Sequence, residues 1–330
     1  MSIRIIKPGL LSTIQDLGRL GFRNTGINVN GVMDVFAAKS ANLLICNEEN
    51  EAVIEMHAPG STLKFEEDAL IALAGADFAV TINDIQIDTW RPIWVKKESI
   101  LRCNGAMVGK RLYLAVHGGF DIKQWLHSSS TNLKAGCGGW QGRALQKEDV
   151  LPFRKSCRFY FQTESSVHVF PWKVSESELP FYSKHPTIRF IPGHEWEELA
   201  PTSKSLFLNK GFTVKKESDR MGYRLLGPPL ERQKSRELLS SAVSFGTVQL
   251  LSDGQLIVLM ADHQTTGGYP RVAHVISVDL PLLAQLKPGD ELRFLPIDLK
   301  TAEEALLSQV KFFRQLKLAC QLKLEPILLC

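Results

Sequence analysis

The chain has 330 residues, of which 44% are hydrophobic and 22% charged, and its net charge is +4. This length exceeds what one hydrophobic core usually organises, so two domains of roughly 150 residues are expected, and the composition is that of an ordinary globular protein. The weakly basic, scattered charge does not indicate a nucleic-acid partner, and no apolar run approaches the roughly 20 residues of a membrane span.

The amino-terminal segment predicts a short strand, Ile3 to Ile6, that ends before Pro8. No charged region followed by an apolar core precedes it, so a signal peptide is not predicted. The six cysteines show no paired spacing and the eight histidines are scattered, so no metal site is predicted. This usage leads us to expect reduced thiols and a cytoplasmic location.

A loop at residues 17–26 carries two arginines and three glycines. Glycines let backbone N–H groups approach an anion and arginines supply forked donors, which suits a carboxylate or a phosphate. A surface loop whose arginines pair with neighbouring acids is an equally good interpretation. A helix is predicted from Val35 to Leu44, with Asp34 as its N-cap.

Short apolar runs separated by turn residues fill the chain from Ala52 to Phe153. Strands at such even spacing predict an antiparallel barrel or sandwich. The chain contains neither a Gly-x-Gly-x-x-Gly motif nor a P-loop, so any ATP used in its reaction is expected to bind to a partner.

Polar residues between Arg154 and Pro186 indicate the crossing to a second domain, which starts with a strand at Thr187. The pattern Arg-x-Gly-aromatic-Arg-x-x-Gly occurs at 19–26 and again at 220–227, an offset of 201 residues (220 − 19). We interpret this repetition as two related domains with unequal insertions.

The most distinctive stretch is an apolar run at 256–260 that breaks abruptly into polar residues. An acid, an imidazole, an amide, two hydroxyls and two glycines follow a buried strand directly, which favours a small polar ligand held at the strand end. A tight turn is the better explanation for Gly267 and Gly268 taken alone. After Leu295 an amphipathic helix is predicted, with Thr301 as a possible N-cap; it could pack on its own domain or mediate contact between protomers.

Several of these motifs together resemble one family, the biotin-dependent carboxyltransferase-like family that includes C-type 5-oxoprolinase subunits, allophanate hydrolase subunit 2 and the carboxyltransferase part of urea carboxylase. The motifs are Thr13–Asp16 with Gly18-Arg19, Gly31–Asp34, Tyr113–Gly119, Ser218–Leu225, Glu237–Ser240 and Gln264–Pro270. The resemblance implies a mainly β fold with two tandem cyclophilin-like β-barrels, at residues 1–160 and 187–296, a few helices and a C-terminal helical tail at 297–330.

The resemblance also implies a function, as one component of an ATP-dependent 5-oxoprolinase that opens 5-oxo-L-proline to L-glutamate. The implied partners are the other 5-oxoprolinase subunits, of which the B type is small and cyclophilin-like and the A type is the third component. ATP is expected on a partner, with no cofactor bound by this chain. A biotin-dependent carboxyltransferase of the urea carboxylase type is an alternative, with biotin carried by another protein. A non-catalytic antagonist of a histidine-kinase inhibitor is another.

The predicted site combines the motif matches with residue chemistry. Catalytic roles are predicted for Asp262, His263 and Gln264, although many relatives have arginine where this chain has His263. Substrate binding is predicted for the carboxylate-clamping arginines, the donors of the polar loop and two aromatic walls. These residues are Arg19, Arg220, Arg224, Thr265, Thr266, Gly267, Gly268, Tyr223 and Tyr269.

Overall fold

The computed structural model describes residues 2–154, 158–159, 165–233 and 237–329. These residues form two compact units. The first unit consists of Met1–Gly18, Asp34–Pro180 and Val310–Cys330, and the second of Arg19–Met33 and Phe181–Gln309. The second unit therefore contains the arginine-rich loop from the amino-terminal part of the chain as well as the residues that follow the predicted crossing.

The first unit is built from short antiparallel strands, as predicted. They are β1 (Ser2–Lys7), β2 (Ser12–Gln15), β3 (Val53–His57), β4 (Thr62–Phe65), β5 (Ala69–Asp77), β6 (Thr81–Ile82), β7 (Ile85–Gln86), β8 (Pro92–Val95), β9 (Ile100–Arg102), β10 (Val108–Val116), β11 (Val150–Pro152), β12 (Arg158–Phe159) and β13 (Val167–Val169). Two six-stranded sheets result, with the orders β11-β1-β4-β9-β6-β7 and β13-β8-β5-β10-β3-β2. Alternate side chains of both sheets share one hydrophobic core.

The predicted helix of this unit, α1 (Val35–Leu44), is confirmed. The carboxylate of Asp34 accepts a hydrogen bond from Ala37 N at 2.9 Å, as expected of an N-cap. The helix packs on β5 and β10 and buries most of its length, including Phe36 and Ala41.

Asp16, which follows β2, is a structural acid. It is 2% exposed, and its oxygens accept hydrogen bonds from Ser128 Oγ at 2.7 Å and Ser130 Oγ at 2.5 Å. The backbone N–H groups of Gly18 and Ser129 donate to it as well. These bonds join two segments of the chain that lie more than one hundred residues apart in sequence.

The second unit contains β14 (Thr187–Pro192), β15 (Phe212–Val214), β16 (Gly222–Leu226), β17 (Ser241–Ala242), β18 (Thr247–Leu250), β19 (Leu256–Leu259), β20 (Thr266–Gly267), β21 (Arg271–Val275) and β22 (Glu291–Pro296). Seven of these strands close a barrel in the order β14-β21-β18-β19-β16-β15-β22, with β17 and β20 as a separate ribbon. Parallel pairing of β14 with β22 completes the ring. The chain is thus mainly β with a closed barrel, in agreement with the predicted fold class.

The remaining helices are α2 (Pro201–Asn209), α3 (Leu280–Ala284) and α4 (Leu299–Leu324), and a short strand β23 (Leu328–Leu329) pairs with β12. Aromatic side chains fill the barrel core, where Phe207 of α2 stacks on Phe294 with ring centroids 4.6 Å apart. The predicted C-terminal helix is confirmed, but its predicted cap is wrong. The side chain of Asp298 accepts from Thr301 N at 2.7 Å, so Asp298 caps the helix.

The two copies of the arginine-glycine pattern adopt different backbone structures. Residues 19–26 form a loop with a 3-10 turn at Arg23–Thr25, whereas residues 220–227 include the barrel strand β16. Equivalent segments of duplicated domains would share a conformation, so this sequence match does not identify structurally equivalent segments. No helix in the described part of the chain has both the length and the apolarity needed to cross a membrane.

Candidate functional site

The polar segment after β19 forms a loop that is anchored at its base. His263 N donates to Met260 O at 3.0 Å, which turns the chain immediately after the strand. Residues 266–267 then pair with β17, and the chain enters β21 at Arg271. The predicted strand with a polar end is therefore present, within one residue of its predicted bounds.

Asp262 is the anchor of this loop. Arg220 donates to both of its carboxylate oxygens, from Nε at 2.9 Å and from Nη2 at 3.0 Å. Asn30 Nδ2 donates to Oδ1 at 2.8 Å, and Arg19 Nη1 donates to the Asn30 side-chain oxygen at 2.5 Å. Both arginines are buried, at 0% exposure for Arg19 and 6% for Arg220. They hold the loop in place, and the predicted clamp on a ligand carboxylate is not their observed contact.

A second anchor comes from Asn28. Its Nδ2 donates to the backbone oxygens of Asp262 at 2.9 Å and His263 at 2.8 Å. Arg23 donates to the Val243 oxygen and so ties the same segment to the neighbouring ribbon. The loop at residues 19–30 is consequently a brace for residues 262–263, a role that the glycines and arginines of its sequence did not indicate.

His263 is a buried, neutral imidazole. It is 4% exposed, and burial lowers its pKa, although the hydrogen bond to the Gln264 backbone oxygen acts in the opposite direction. Its Nδ1 lies 2.5 Å from the backbone oxygen of Gln264, which can only accept, so Nδ1 carries the proton and Nε2 keeps a lone pair.

A cavity of about 580 Å³, which we call cavity A, lies on the outer face of β16, β18 and β19. The outer face is identified by strand alternation, because Tyr223, Val248 and Val258 point into the barrel core. Cavity A is lined by outward-facing residues of the three strands, by residues of the turns next to them and by two residues of the polar loop. Those that bear on function are Gly222, Arg224, Gln249, Ile257, Gln264 and Tyr269.

Arg224 is the arginine that the structure places in the cavity. It is exposed on β16, and its guanidinium has no hydrogen-bond partner within the described residues. Tyr223, its neighbour in the strand, is 0% exposed in the barrel core. It therefore does not line the cavity, although the sequence analysis predicted it as an aromatic wall of the site. Tyr269 is 46% exposed and does line it.

Two glutamine amides meet at Gly267. Gln249 is 1% exposed, lines cavity A and has its Nε2 3.4 Å from the Tyr269 oxygen. A Cβ atom on Gly267 would come within 2.6 Å of Gln249 Nε2 and 3.4 Å of Gln264 Nε2. A larger residue at this position would therefore force the Gln249 amide to shift. Gln249 was missed in the sequence, although a polar residue between the inward-facing Val248 and Leu250 was a usable signal.

The other predicted donors lie on the ribbon side of the loop. The Thr265 oxygen accepts from Val243 N at 3.2 Å, and Thr266 belongs to β20. Gly268 lies beside Leu238 and Ser240, where an added Cβ would be 3.5 Å from each. Of the three predicted catalytic residues, Gln264 lines cavity A, whereas Asp262 and His263 are not among its lining residues.

Cavity A carries more acid than base. Glu217, Asp219 and Asp253 line it together with Arg224, which makes three carboxylates and one guanidinium. A second cavity of about 650 Å³, cavity B, shares Leu251, Ser252 and Tyr269 with it. Tyr269 therefore borders both cavities, a feature that the sequence did not reveal. Across the described ranges, no three His, Cys, Asp or Glu side chains are grouped as a metal site.

Comparison with known proteins defines the class. A family model described as "Carboxyltransferase domain, subdomain A and B" matches residues 25–296. The chain belongs to this carboxyltransferase-domain family, which confirms the resemblance carried by its motifs.

Two curated relatives, both C-type subunits of 5-oxoprolinase, are similar over nearly the whole chain. The protein from Escherichia coli (strain K12) is 38% identical over 314 residues, covering 95% of this chain and 97% of that protein. The protein from Haemophilus influenzae is 38% identical over 291 residues, covering 88% and 90% respectively.

Solved structures agree on the fold. The Kluyveromyces lactis urea carboxylase superposes with a TM-score of 0.88 at 28% identity, covering 96% of this chain and 29% of that chain. The urea amidolyase of the same organism gives the same score and identity over 20% of its length. This chain therefore corresponds to one part of those larger enzymes.

Proposed function

We propose that this chain is the C-type component of a 5-oxoprolinase complex, which opens 5-oxo-L-proline to L-glutamate with ATP. The observation that carries the proposal is the 38% identity to two 5-oxoprolinase subunits of the C type, over 95% and 88% of this chain. The letter C implies other components, so catalysis requires partners of the A and B types. One of these partners binds ATP, because the chain lacks a nucleotide-binding motif.

Cavity A is the proposed substrate site. Arg224 binds the single carboxylate of 5-oxoproline through its forked donors. The amides of Gln249 and Gln264, which can both donate and accept, pair with the lactam N–H and carbonyl. Tyr269 packs against the ring. Asp262 has a positioning role, because its carboxylate is occupied by Arg220 and Asn30.

The reaction explains why several proteins are needed. A lactam carbonyl is a poor electrophile, and ATP activates its oxygen by phosphorylation before water attacks the carbon. Developing negative charge on the carbonyl oxygens is stabilised by hydrogen-bond donors that are already in position. Gln249 and Gln264 are such donors: Gln249 is buried, and both amides lie close to Gly267. His263 Nε2 is a neutral acceptor at the base of the same loop.

One observation favours a second candidate, carboxyl transfer to urea from biotin on another protein. The three carboxylates that line cavity A repel an anionic ligand but tolerate a neutral one, and urea is neutral. The two urea-processing enzymes named above share the fold of this chain. Under this candidate the same glutamine amides bind the ureido group.

The deciding experiment measures ATP-dependent release of glutamate from 5-oxoproline by the chain alone, by its A- and B-type partners alone, and by the mixture. The proposal requires turnover only in the mixture. A stable complex without turnover would reject it, and urea-dependent consumption of carboxybiotin on a biotinylated carrier would then establish the second candidate.

A further inference from the structure

Gln249 is a buried amide in the outer wall of the barrel. Its neighbours in β18, Val248 and Leu250, face the core, so the Gln249 side chain points outward, where it lines cavity A. An outward-facing side chain on a barrel is normally exposed, yet Gln249 is 1% exposed. Gly267 and Tyr269 of the polar loop lie against its amide. The amide is therefore part of the cavity wall and is shielded from bulk water.

One hydrogen bond orients this amide. Gln249 Nε2 lies 3.4 Å from the backbone oxygen of Tyr269, which can only accept, so the nitrogen faces Tyr269. Oε1 and the second hydrogen on Nε2 have no hydrogen-bond partner among the residues that the structure describes. The cross-strand neighbours supply none, because Ile257 is apolar and the guanidinium of Arg271 is bound to Glu195 at 3.0 Å. A polar group this deeply buried normally has a partner, so the free part of the amide is available to a ligand.

The amide of Gln264 lies beside that of Gln249. Their nitrogens are 3.4 Å and 2.6 Å from the point that a Cβ atom of Gly267 would occupy, so they are at most 6.0 Å apart, the sum of these distances. Gln264 accepts from His263 through its backbone oxygen, and its side-chain amide makes no hydrogen bond with the described residues. Two incompletely paired amides thus face one cavity at a separation that a small ring can span.

We propose that Gln249 determines the ligand specificity of cavity A by pairing with an amide whose N–H and C=O groups are cis. Oε1 accepts from the ligand N–H, and the free N–H of Nε2 donates to the ligand carbonyl, which gives two parallel hydrogen bonds. Ring closure holds a lactam in the cis arrangement, and urea also has an N–H that is cis to its carbonyl. An open-chain secondary amide is trans, so it cannot present both groups on one edge.

This pairing also distinguishes the substrate from the product. Opening of 5-oxoproline converts the lactam nitrogen into an ammonium group and the lactam carbonyl into a carboxylate. Glutamate therefore has no cis N–H and C=O edge, and it loses the contact with Gln249 that holds the lactam. The inference rests on the proposed function, because it treats cavity A as the substrate site, and it specifies the class of ligand that the site takes.

The test compares ligands that differ in the group offered to Gln249. Binding is measured by isothermal titration calorimetry with the full chain, alone and with its A- and B-type partners, in the absence of ATP. The ligands are 5-oxoproline, the lactone in which oxygen replaces its ring N–H, and N-acetylglycine, whose amide is trans. We expect the lactone and N-acetylglycine to bind about tenfold to a hundredfold more weakly than 5-oxoproline, because each leaves a buried amide group without its partner.

Two variants assign this discrimination to one residue. Gln249→Met removes the amide at nearly constant side-chain length and should make the affinities for the lactam and the lactone nearly equal. Gln264→Met removes the other amide of the cavity but keeps Gln249, so the ratio of the two affinities should persist. Both affinities are measured on the same protein sample, so a change in its folded fraction cancels in the ratio.

The outcomes separate this inference from the proposed function. Equal binding of lactam and lactone by the wild-type chain, or a ratio that persists in Gln249→Met, overturns the inference even where the glutamate-release assay shows turnover. If urea binds and 5-oxoproline does not, the proposed function fails, and urea is compared with tetramethylurea, which has no N–H. Discrimination between these two that disappears in Gln249→Met then supports the role of Gln249. Absence of binding by every ligand overturns both proposals.

Discussion

Arg220 binds both carboxylate oxygens of Asp262, across 42 residues of sequence, with donor–acceptor distances of 2.9 and 3.0 Å. The pair lies at the base of the loop that carries Gln264 and Tyr269 into cavity A. Because Arg220 is 6% exposed, the geometry of the loop depends on a nearly dry ion pair. Arg220, which the sequence predicted to bind substrate, is thus observed to support the loop through Asp262.

Replacing Arg220 with alanine should destabilise the second unit by about 3–5 kcal/mol, the usual cost of leaving one member of a buried pair without its partner. Urea unfolding followed by tryptophan fluorescence measures this change. Arg224→Ala is the control and should alter stability by less than about 0.5 kcal/mol, because its side chain is exposed. Equal stability of the two variants would contradict the structural role of Arg220.

Gly267→Ala should weaken ligand binding in cavity A without unfolding the chain. The added methyl group would be 2.6 Å from Gln249 Nε2, so the buried amide must move. Gly268→Ala is a matched control, because its methyl group would have only ordinary contacts at 3.5 Å. Steady-state kinetics of the reconstituted complex should show a loss of kcat/KM of about tenfold or more for Gly267→Ala alone. A similar loss in both variants would mean that the loop, rather than Gln249, is disturbed.

Local signals predicted the elements of the fold well. Asp34 before an apolar-periodic run indicated α1, and evenly spaced turns indicated short antiparallel strands from Ala52 to Phe153; the structure has both. The apparent repeat at Arg19 and Arg220 failed, because the same residue types serve a loop in one case and a strand in the other. A sequence match as short as that between residues 19–26 and 220–227 does not fix the backbone conformation. Tertiary contacts decide the conformation of each segment.

The predicted site can be compared with the cavities of the structure. The polar break after β19 predicts a ligand site, and Gln264 and Tyr269 of that segment line cavity A. Tyr223 faces the barrel core because strand alternation places it beside Val258. Arg19 is 0% exposed and donates to Asn30. Which of several arginines stays available to a ligand depends on long-range pairing, and no local pattern reports that.

Arg224→Gln should raise KM for 5-oxoproline by about tenfold to a hundredfold with a smaller effect on kcat. The guanidinium holds the substrate carboxylate equally in the ground and transition states, so its removal weakens uniform binding. Arg293→Gln is the control, since Arg293 is also an exposed barrel arginine but does not line cavity A. The glutamate-release assay over a range of substrate concentrations separates the two constants. An unchanged KM would remove Arg224 from the substrate site.

His57 should make the first unit sensitive to mild acid. It lies on β3 at 7% exposure, and burial lowers its pKa from 6.5 to about 4, with the charge of Arg111 adding to the effect. Glu55, whose carboxylate is 3.6 Å from His57 Nε2, opposes the shift. That carboxylate also accepts from the Tyr113 hydroxyl at 2.9 Å and lies 3.7 Å from Arg111 Nε, so its charge is shared and burial prevails.

The sign of the effect follows from the lowered pKa. Between pH 6.5 and about 4 the unfolded chain binds a proton at His57 that the folded chain does not, so acid favours unfolding. The contribution is complete above pH 6.5 and is lost as the pH falls toward 4, for a total of about 3 kcal/mol. Urea midpoints measured from pH 4.5 to 7.5 should therefore fall with acid more steeply in the wild-type chain than in His57→Gln. Parallel curves for the two proteins would show that His57 is already protonated in the folded state.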